Sequence, residues 1–329
     1  MDNELMRVFA AICASLILWG AAALAQMQSN ILWDEPASHH FQGPGDITPF
    51  TAWYGLRAYS AAVAATGTQK AADLRRVSDN ATCTALIGTD GNLDLTVGTP
   101  CNSNTQTVTA WIGASSASVS KMYDQVAGNA CGGASCDVVQ ATAGNQPHFL
   151  LTGCGGASTK PCLFSDGSPI KFLGAANNFT PAGTQSSFAV LAECTGVSFL
   201  NLAPLIKSGG GFGGSGAVDS IYCDPGPSFG VSGTPGISSF PTTNGVYKTS
   251  IAVNNILSID GVDNTTGVSF TSVTASPPEF AANSQSGGSP DTTDHVGEGG
   301  FADNVTWSSG TRTALCHNMR LYWGTGGAC

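Results

Sequence analysis

From residue 170 onward, apolar and polar side chains alternate in short runs that stop at glycine, asparagine or aspartate. A period of two broken by turn formers is how half-buried antiparallel strands read. The runs at 170–173, 187–193, 199–206, 217–223, 247–254, 256–259 and 268–273 therefore predict strands. Asp260-Gly261 between two runs is a direct hairpin signal. Upstream, residues 118–123 predict another strand, and 82–112 hold two strand candidates about a turn at Gly91-Asn92. Leu56, Tyr59 and Val63 form a helical stripe in 53–65, and 313–323 suit a short helix ending at Gly324. The stretch 151–168, with four glycines and two cysteines, reads as a stapled loop, and 26–50 as a loose arm. The pattern predicts an all-β antiparallel sandwich with one or two short helices.

Composition sharpens this. Charged residues make up 10% of the 329 and glycine accounts for 42 of them, which favours strands and turns over long surface helices. A net charge of −10 with only 12 basic residues and no basic run excludes nucleic acid, whose phosphates require clustered Lys and Arg. Residues 8–24 are uncharged and end in Ala23-Leu24-Ala25, so 1–25 reads as a cleaved signal peptide. The alternative is an uncleaved membrane anchor of the same length. Eleven cysteines, one of them inside that signal, leave ten that suit an exported, disulfide-bonded chain. Pairing by neighbours gives Cys83–Cys101, Cys131–Cys136, Cys154–Cys162, Cys194–Cys223 and Cys316–Cys329. The five histidines show no zinc spacing, and neither metal nor cofactor is expected.

One glycine-rich run, 208–216, contains G-x-G-x-x-G. A dinucleotide site needs a helix next, whereas 217–222 reads as a strand, so the run is a flexible loop.

Tyr123-Asp124-Gln125 with Gly128-Asn129, followed by the run from Val139 to Pro147 (VQATAGNQP), carries a family resemblance. The segment resembles YDQSGNGN and QATAANQP of the α-L-arabinofuranosidase B catalytic domain, glycoside hydrolase family 54. Upstream, 56–60 (LRAYS) and 74–79 (LRRVSD) resemble that family's RALYS and LQRGSD in the same order. The likeness spans most of 51–329 and weakens after Pro147. It implies a concanavalin A-like, jelly-roll type sandwich acting on arabinose-containing glycans, with retention of configuration. Two carboxyl groups roughly 5–5.5 Å apart do such work, one attacking the sugar carbon and one serving as acid and then base.

The resemblance places the nucleophile at Asp219, where the family has Glu. The acid falls at Asp291, two residues beyond its expected place after Gly287-Gly288, with Asp303 after Gly299-Gly300 as the rival. The family's vicinal Cys-Cys is absent. Asp79, Asp124 and Gln125 stand as substrate contacts, or as braces for arginine and turn amides. The tryptophans at 53, 111, 307 and 323 either stack on sugar or fill the core. The rival function is a non-catalytic sugar-binding or surface-interaction module on the same sandwich.

Asp2 and Glu4 are acidic for a signal, whereas Met6-Arg7 opens a conventional one. The precursor is therefore expected to begin at Met6. N-terminal sequencing checks this, and a precursor beginning at Met1 overturns it.

Overall fold

The computed structural model describes residues 41–94, 106–128, 130–154, 160–165, 171, 173–179, 186–193, 203–207, 220–224, 228–232, 237–241, 246–266, 277–280, 294–325 and 329. Phe41–Cys329 is one compact unit.

Its first strands are β1 (Ala52–Gly55), β2 (Lys70–Arg76), β3 (Thr82–Leu86), β4 (Ala117–Met122), β5 (Val138–Val139) and β6 (His148–Cys154). Then come β7 (Lys160–Ser165), β8 (Leu173–Ala175), β9 (Ser186–Glu193), β10 (Ala203–Lys207), β11 (Ser220–Asp224) and β12 (Ser228–Ser232). The last are β13 (Ile237–Pro241), β14 (Tyr247–Val253), β15 (Ile256–Ile259), β16 (Val262–Thr265), β17 (Glu279–Phe280) and β18 (Asp294–Asp303). The helices are α1 (Ala61–Thr66), α2 (Val108–Ile112) and α3 (Ser309–Trp323).

All pairings among these strands are antiparallel. One run goes β16–β15–β14–β9–β18. The far edge of β18 is shared, β7 taking Asp294–Val296 and β1 taking Glu298–Phe301. The second run goes β3–β2–β4–β5–β8–β17–β10–β11–β12–β13. It joins the first through β4–β6–β7. The fold is a concanavalin A-like β-sandwich.

Alternation decides where side chains go. Phe188, Val190 and Ala192 of β9 join Tyr54, Leu74, Val119, Met122, Phe280 and Phe301 in the core between the sheets. Their neighbours Ala189 and Leu191 join Trp53, Ile251, Trp307, Leu315, Met319 and Trp323 in a second cluster. The β9–β18 layer is therefore buried on both faces, by a sheet on one side and by α3 on the other. Ser308 caps α3, its Oγ accepting from the Thr311 amide at 3.1 Å, and Gly324 ends it at φ 63°.

The glycines of β18 make room for this helix on one side and for β1 on the other. A Cβ on Gly297 would lie 2.7 Å from the Trp323 ring, and one on Gly300 would lie 2.5 Å from the Ala52 carbonyl oxygen. The Asp260-Gly261 hairpin forms as expected, with both residues at positive φ (48° and 82°).

Several expectations are corrected. Residues 53–65 are not one helix, because Trp53 and Tyr54 point to opposite clusters from β1 and only 61–66 is helical. Ser60 and Gly67 bound that helix, which leaves room for fewer than two turns. Of 82–112, the described residues form β3, a turn at Gly91-Asn92 whose Leu93 bridges back to Ile87, and α2, begun by the side chain of Thr107 accepting from the Ala110 amide. Residues 95–105, where the second strand candidate continues, lie outside the described residues. The stapled loop at 151–168 is largely the hairpin β6–β7, whose strands Cys154–Cys162 joins. The α-helices number three among the described residues, the last being 15 residues long, beside two short 3-10 helices at Pro44–Asp46 and Ala143–Asn145. The strand expected at 268–273 lies outside the described residues.

Three expected disulfides are present, Cys131–Cys136, Cys154–Cys162 and Cys316–Cys329. Cys83 and Cys223 are also disulfide-bonded. Such bonds persist in oxidising surroundings, which agrees with an exported chain. Among the described residues no helix is long and apolar enough to cross a membrane.

Gly300→Ala should cost about 1–3 kcal/mol, because its methyl meets fixed backbone rather than a side chain able to move. Gly128→Ala, with nothing within 4 Å, should stay within about 0.5 kcal/mol. Urea unfolding with disulfides intact measures both.

Candidate functional site

The Tyr123-Asp124-Gln125 segment leaves β4 and crosses to β1. Asp124 Oδ1 accepts from the Trp53 amide at 3.1 Å and from the Val126 amide at 3.0 Å. Gln125, 4% exposed, donates through Nε2 to the carbonyls of Gly55 and Arg57 at 2.8 and 2.9 Å. Its Oε1 accepts from the Tyr59 amide at 2.8 Å. The two side chains thus satisfy backbone groups just where β1 ends and the chain turns toward α1, groups that would otherwise be buried without partners. The motif is a clasp.

Tyr123 points to the outer face. Its hydroxyl donates to the Asp73 carboxylate at 3.0 Å, and the ammonium of Lys121 lies 4.2 Å from its ring centroid. Lys121 also pairs with Asp137 at 2.7 Å. Burial, then the charge of Asp73, pushes the phenol up to about 12, so it stays protonated.

The second half of the motif is also scaffold. Gln146 Oε1 accepts from Arg75 Nε at 2.7 Å and from Ser118 Oγ at 2.8 Å, and its Nε2 donates to the Gln140 carbonyl at 2.8 Å. Asp79 is exposed and grips Arg76 at 2.6 Å while accepting from the Ala81 amide at 3.1 Å. The Arg76 hydrogen bond, helped by that amide, lowers its carboxyl to about 2. Trp53, Trp307 and Trp323 are core residues, and Trp111 is 4% exposed with the Arg76 guanidinium 5.0 Å from its ring.

One constellation was not singled out from the sequence. Arg57 meets Glu298 through Nε at 2.6 Å and a terminal nitrogen at 2.8 Å, with both side chains essentially fully buried. Trp323 Nε1 donates to the same carboxylate at 2.9 Å, and Arg57 donates to Asn318 Oδ1 at 2.8 Å. The Tyr322 ring lies between the cations of Arg57 (4.4 Å) and Lys160 (4.2 Å). Buried this deeply, Glu298 offers nothing to a substrate. Only the charge of Arg57 hinted at it, since the LRAYS resemblance identifies no partner.

Asp219 and Asp291 lie outside the described residues. In the chain, Asp219 immediately precedes β11 and Asp291 comes three residues before β18. Those strands belong to the two facing runs, and β10, the neighbour of β11, packs on β18. Asp303 ends β18, about 30 Å along the strand from its start, and its amide donates to Thr51 Oγ1 at 2.8 Å. No group of three potential metal ligands occurs among the described residues.

No protein-family model matches the chain. No curated protein matches it either. Solved structures do. An α-L-arabinofuranosidase of glycoside hydrolase family 54, soaked with a cyclic sulfate inhibitor, superposes with TM-score 0.58 at 14% identity, covering 84% of this chain and 65% of that one. A mutant of such an enzyme, soaked with 4-nitrophenyl α-L-arabinofuranoside, gives 0.59 at 14%, covering 84% and 65%. An arabinofuranosidase complexed with arabinofuranosyl-α-1,2-xylobiose gives 0.57 at 15%, covering 84% and 64%. The chain spans just under two thirds of the length of these structures. The fold is shared with them.

Burial raises the Asp124 carboxyl from 3.8 to about 6, outweighing the amides of Val126, Trp53 and Cys136 that favour its charged form. The folded state then holds this proton more tightly than the unfolded state. Its contribution to stability is complete below the ordinary value and is lost as pH rises through about 6. Asp124→Asn keeps an acceptor for both amides and cannot ionise. Relative to the variant, the wild-type protein should lose up to about 3 kcal/mol across that window, read from urea midpoints at stepped pH.

Proposed function

We propose that the chain is an exported glycoside hydrolase of the α-L-arabinofuranosidase type, removing terminal arabinofuranosyl residues from arabinose-containing polysaccharides or oligosaccharides. The observation that carries this reading is the superposition of 84% of the chain on family 54 arabinofuranosidases. The order of its LRAYS, LRRVSD, YDQ and QATAGNQP segments agrees with it. One of those neighbours was soaked with a nitrophenyl arabinofuranoside and another holds an arabinofuranosyl xylobiose, the substrate class assigned here.

In this reading Asp219 attacks the anomeric carbon while Asp291 gives its proton to the departing glycosidic oxygen. Asp291 then takes a proton from water, whose oxygen displaces Asp219 and restores the original configuration. No cofactor takes part. Asp79, Asp124 and Gln125 serve the sugar only through the acceptor capacity that their protein partners leave over.

A second reading has specific support. Asp stands where the family has Glu, the acid is displaced by two residues, and no adjacent cysteines occur, whereas the clasp at Asp124 and Gln125 is intact. Shortening a nucleophile by a methylene misplaces the reacting atom by about 1 Å, enough to cost orders of magnitude in rate. A sugar-binding module on a retained scaffold accounts for both facts.

Release of nitrophenol from 4-nitrophenyl α-L-arabinofuranoside by the mature protein separates the two. Asp219→Asn and Asp291→Asn should each lower it at least about a hundredfold. A wild-type protein that releases none but is retained on arabinan or arabinoxylan establishes the binding module instead.

A further inference from the structure

One transverse row of residues crosses the second run of strands from β3 to β11. Thr84 lies opposite Asp73, Asp73 opposite Lys121, Lys121 opposite Val139, and Val139 opposite Gly174. Gly174 then lies opposite Glu279, Glu279 opposite Lys207, and Lys207 opposite Ser220. Directly opposed residues share a sheet face. Their chain neighbours Ala85, Leu74, Val138, Leu173, Phe280 and Ile221 fill the core, so the row lies on the face turned away from it. At about 4.8 Å between strands, β2 to β11 spans roughly 30 Å.

The middle of the row carries no polar side chain. Val139 is 38% exposed and Gly174 beside it contributes only backbone, which makes a low apolar floor. On each side of the floor stand one acid and one lysine, Asp73 with Lys121 and Glu279 with Lys207, so the row is balanced on a chain of net charge −10. Lys121 pairs with Asp137 at 2.7 Å, and its ammonium lies 4.2 Å from the Tyr123 ring centroid. Asp73 accepts from the Tyr123 hydroxyl at 3.0 Å and from Thr84 Oγ1 at 2.6 Å.

Such a strip offers little net field to a charged partner. It does suit an uncharged, hydroxyl-rich chain, whose C–H faces cover the floor. Hydroxyls on that chain exchange hydrogen bonds with flanking ammonium and carboxylate groups, which can each serve more than one partner. The row also leads toward the proposed chemistry, because Ser220 at its end directly follows Asp219 in the chain.

We propose that this row is an extended subsite for the uncharged main chain of an arabinose-bearing polysaccharide. Val139 and Gly174 form its floor, and Asp73, Lys121, Tyr123 and Glu279 line its flanks. The inference rests on the glycan reading above and adds where the polymer lies.

Affinity electrophoresis of the mature protein through gels containing arabinan or arabinoxylan tests it. One of the two polymers should retard the wild-type protein. Val139→Arg, which fills the floor from an already exposed position, should weaken that affinity at least about tenfold. Val262→Arg, at a 66% exposed position on β16 of the other run, should leave it unchanged. Lys121→Met removes a flanking donor, should weaken it too, and decides the matter if Val139→Arg does not fold. Release of nitrophenol from 4-nitrophenyl α-L-arabinofuranoside by the wild type is scored separately. Polymer affinity that depends on Val139, without any such release, overturns the hydrolase reading and upholds the subsite. Release by a wild type that neither polymer retards overturns the subsite alone. An affinity undiminished in Val139→Arg, or in Lys121→Met in its place, overturns the subsite whether or not nitrophenol is released.

Discussion

A guanidinium and a carboxylate taken wholly out of water, Arg57 and Glu298, come from positions 241 residues apart. Each alone would cost several kcal/mol to bury, and only good geometry with further hydrogen bonds offsets this. Here the geometry is bidentate, Trp323 supplies another donor to the carboxylate, and Asn318 accepts from the guanidinium. Because the charges tolerate no other arrangement, the exit of β1, the middle of β18 and the last turns of α3 are held in one register. The Asp124–Gln125 clasp holds the same exit from the opposite side through backbone groups. The rest of the sandwich is built onto that junction.

Glycine makes the junction possible. A helix carrying Met319 and Trp323 lies on β18 because Gly297 puts no side chain in the way of the Trp323 ring, and β1 lies beside β18 because Gly300 puts none against Ala52 and Trp53. The second buried layer thus depends on residues that contribute no apolar surface themselves. Disulfide Cys316–Cys329 then ties the segment after the helix back to the helix.

The segments that most resemble arabinofuranosidases do scaffold work in the described part of the structure. Asp124, Gln125, Gln140 and Gln146 each bond backbone groups, and Asp79 braces Arg76. Polar side chains that satisfy buried peptide groups cannot drift without leaving those groups unpaired, whereas loops that touch ligand can change with the ligand. Likeness of fold at 14% identity is accordingly an argument about scaffold, and function rests on the proposed aspartates.

Strands at 187–193, 247–254 and 256–259 were legible because short runs rich in apolar and β-branched residues stop at turn formers, a local signal that survives even where, as in 187–193, both faces are buried. Neighbouring cysteines were legible for the same reason, and the hairpin at Asp260-Gly261 needed only two residues. The 53–65 stretch was not: Trp53 and Tyr54 are both buried, on opposite faces of a layer covered twice, so no polar side chain marks the alternation. Nor was β6–β7, where glycines suggested a loop but pairing with β4 and β18 makes a hairpin. By itself the sequence determined the class of fold and the positions of most turns, which follow from backbone preference and local period. Only the tertiary structure decided that Glu298 faces Arg57 and that Gln125 spends its amide on β1. These pairings join residues tens to hundreds apart, and no local pattern encodes which distant group will relieve a buried charge or an unpaired peptide.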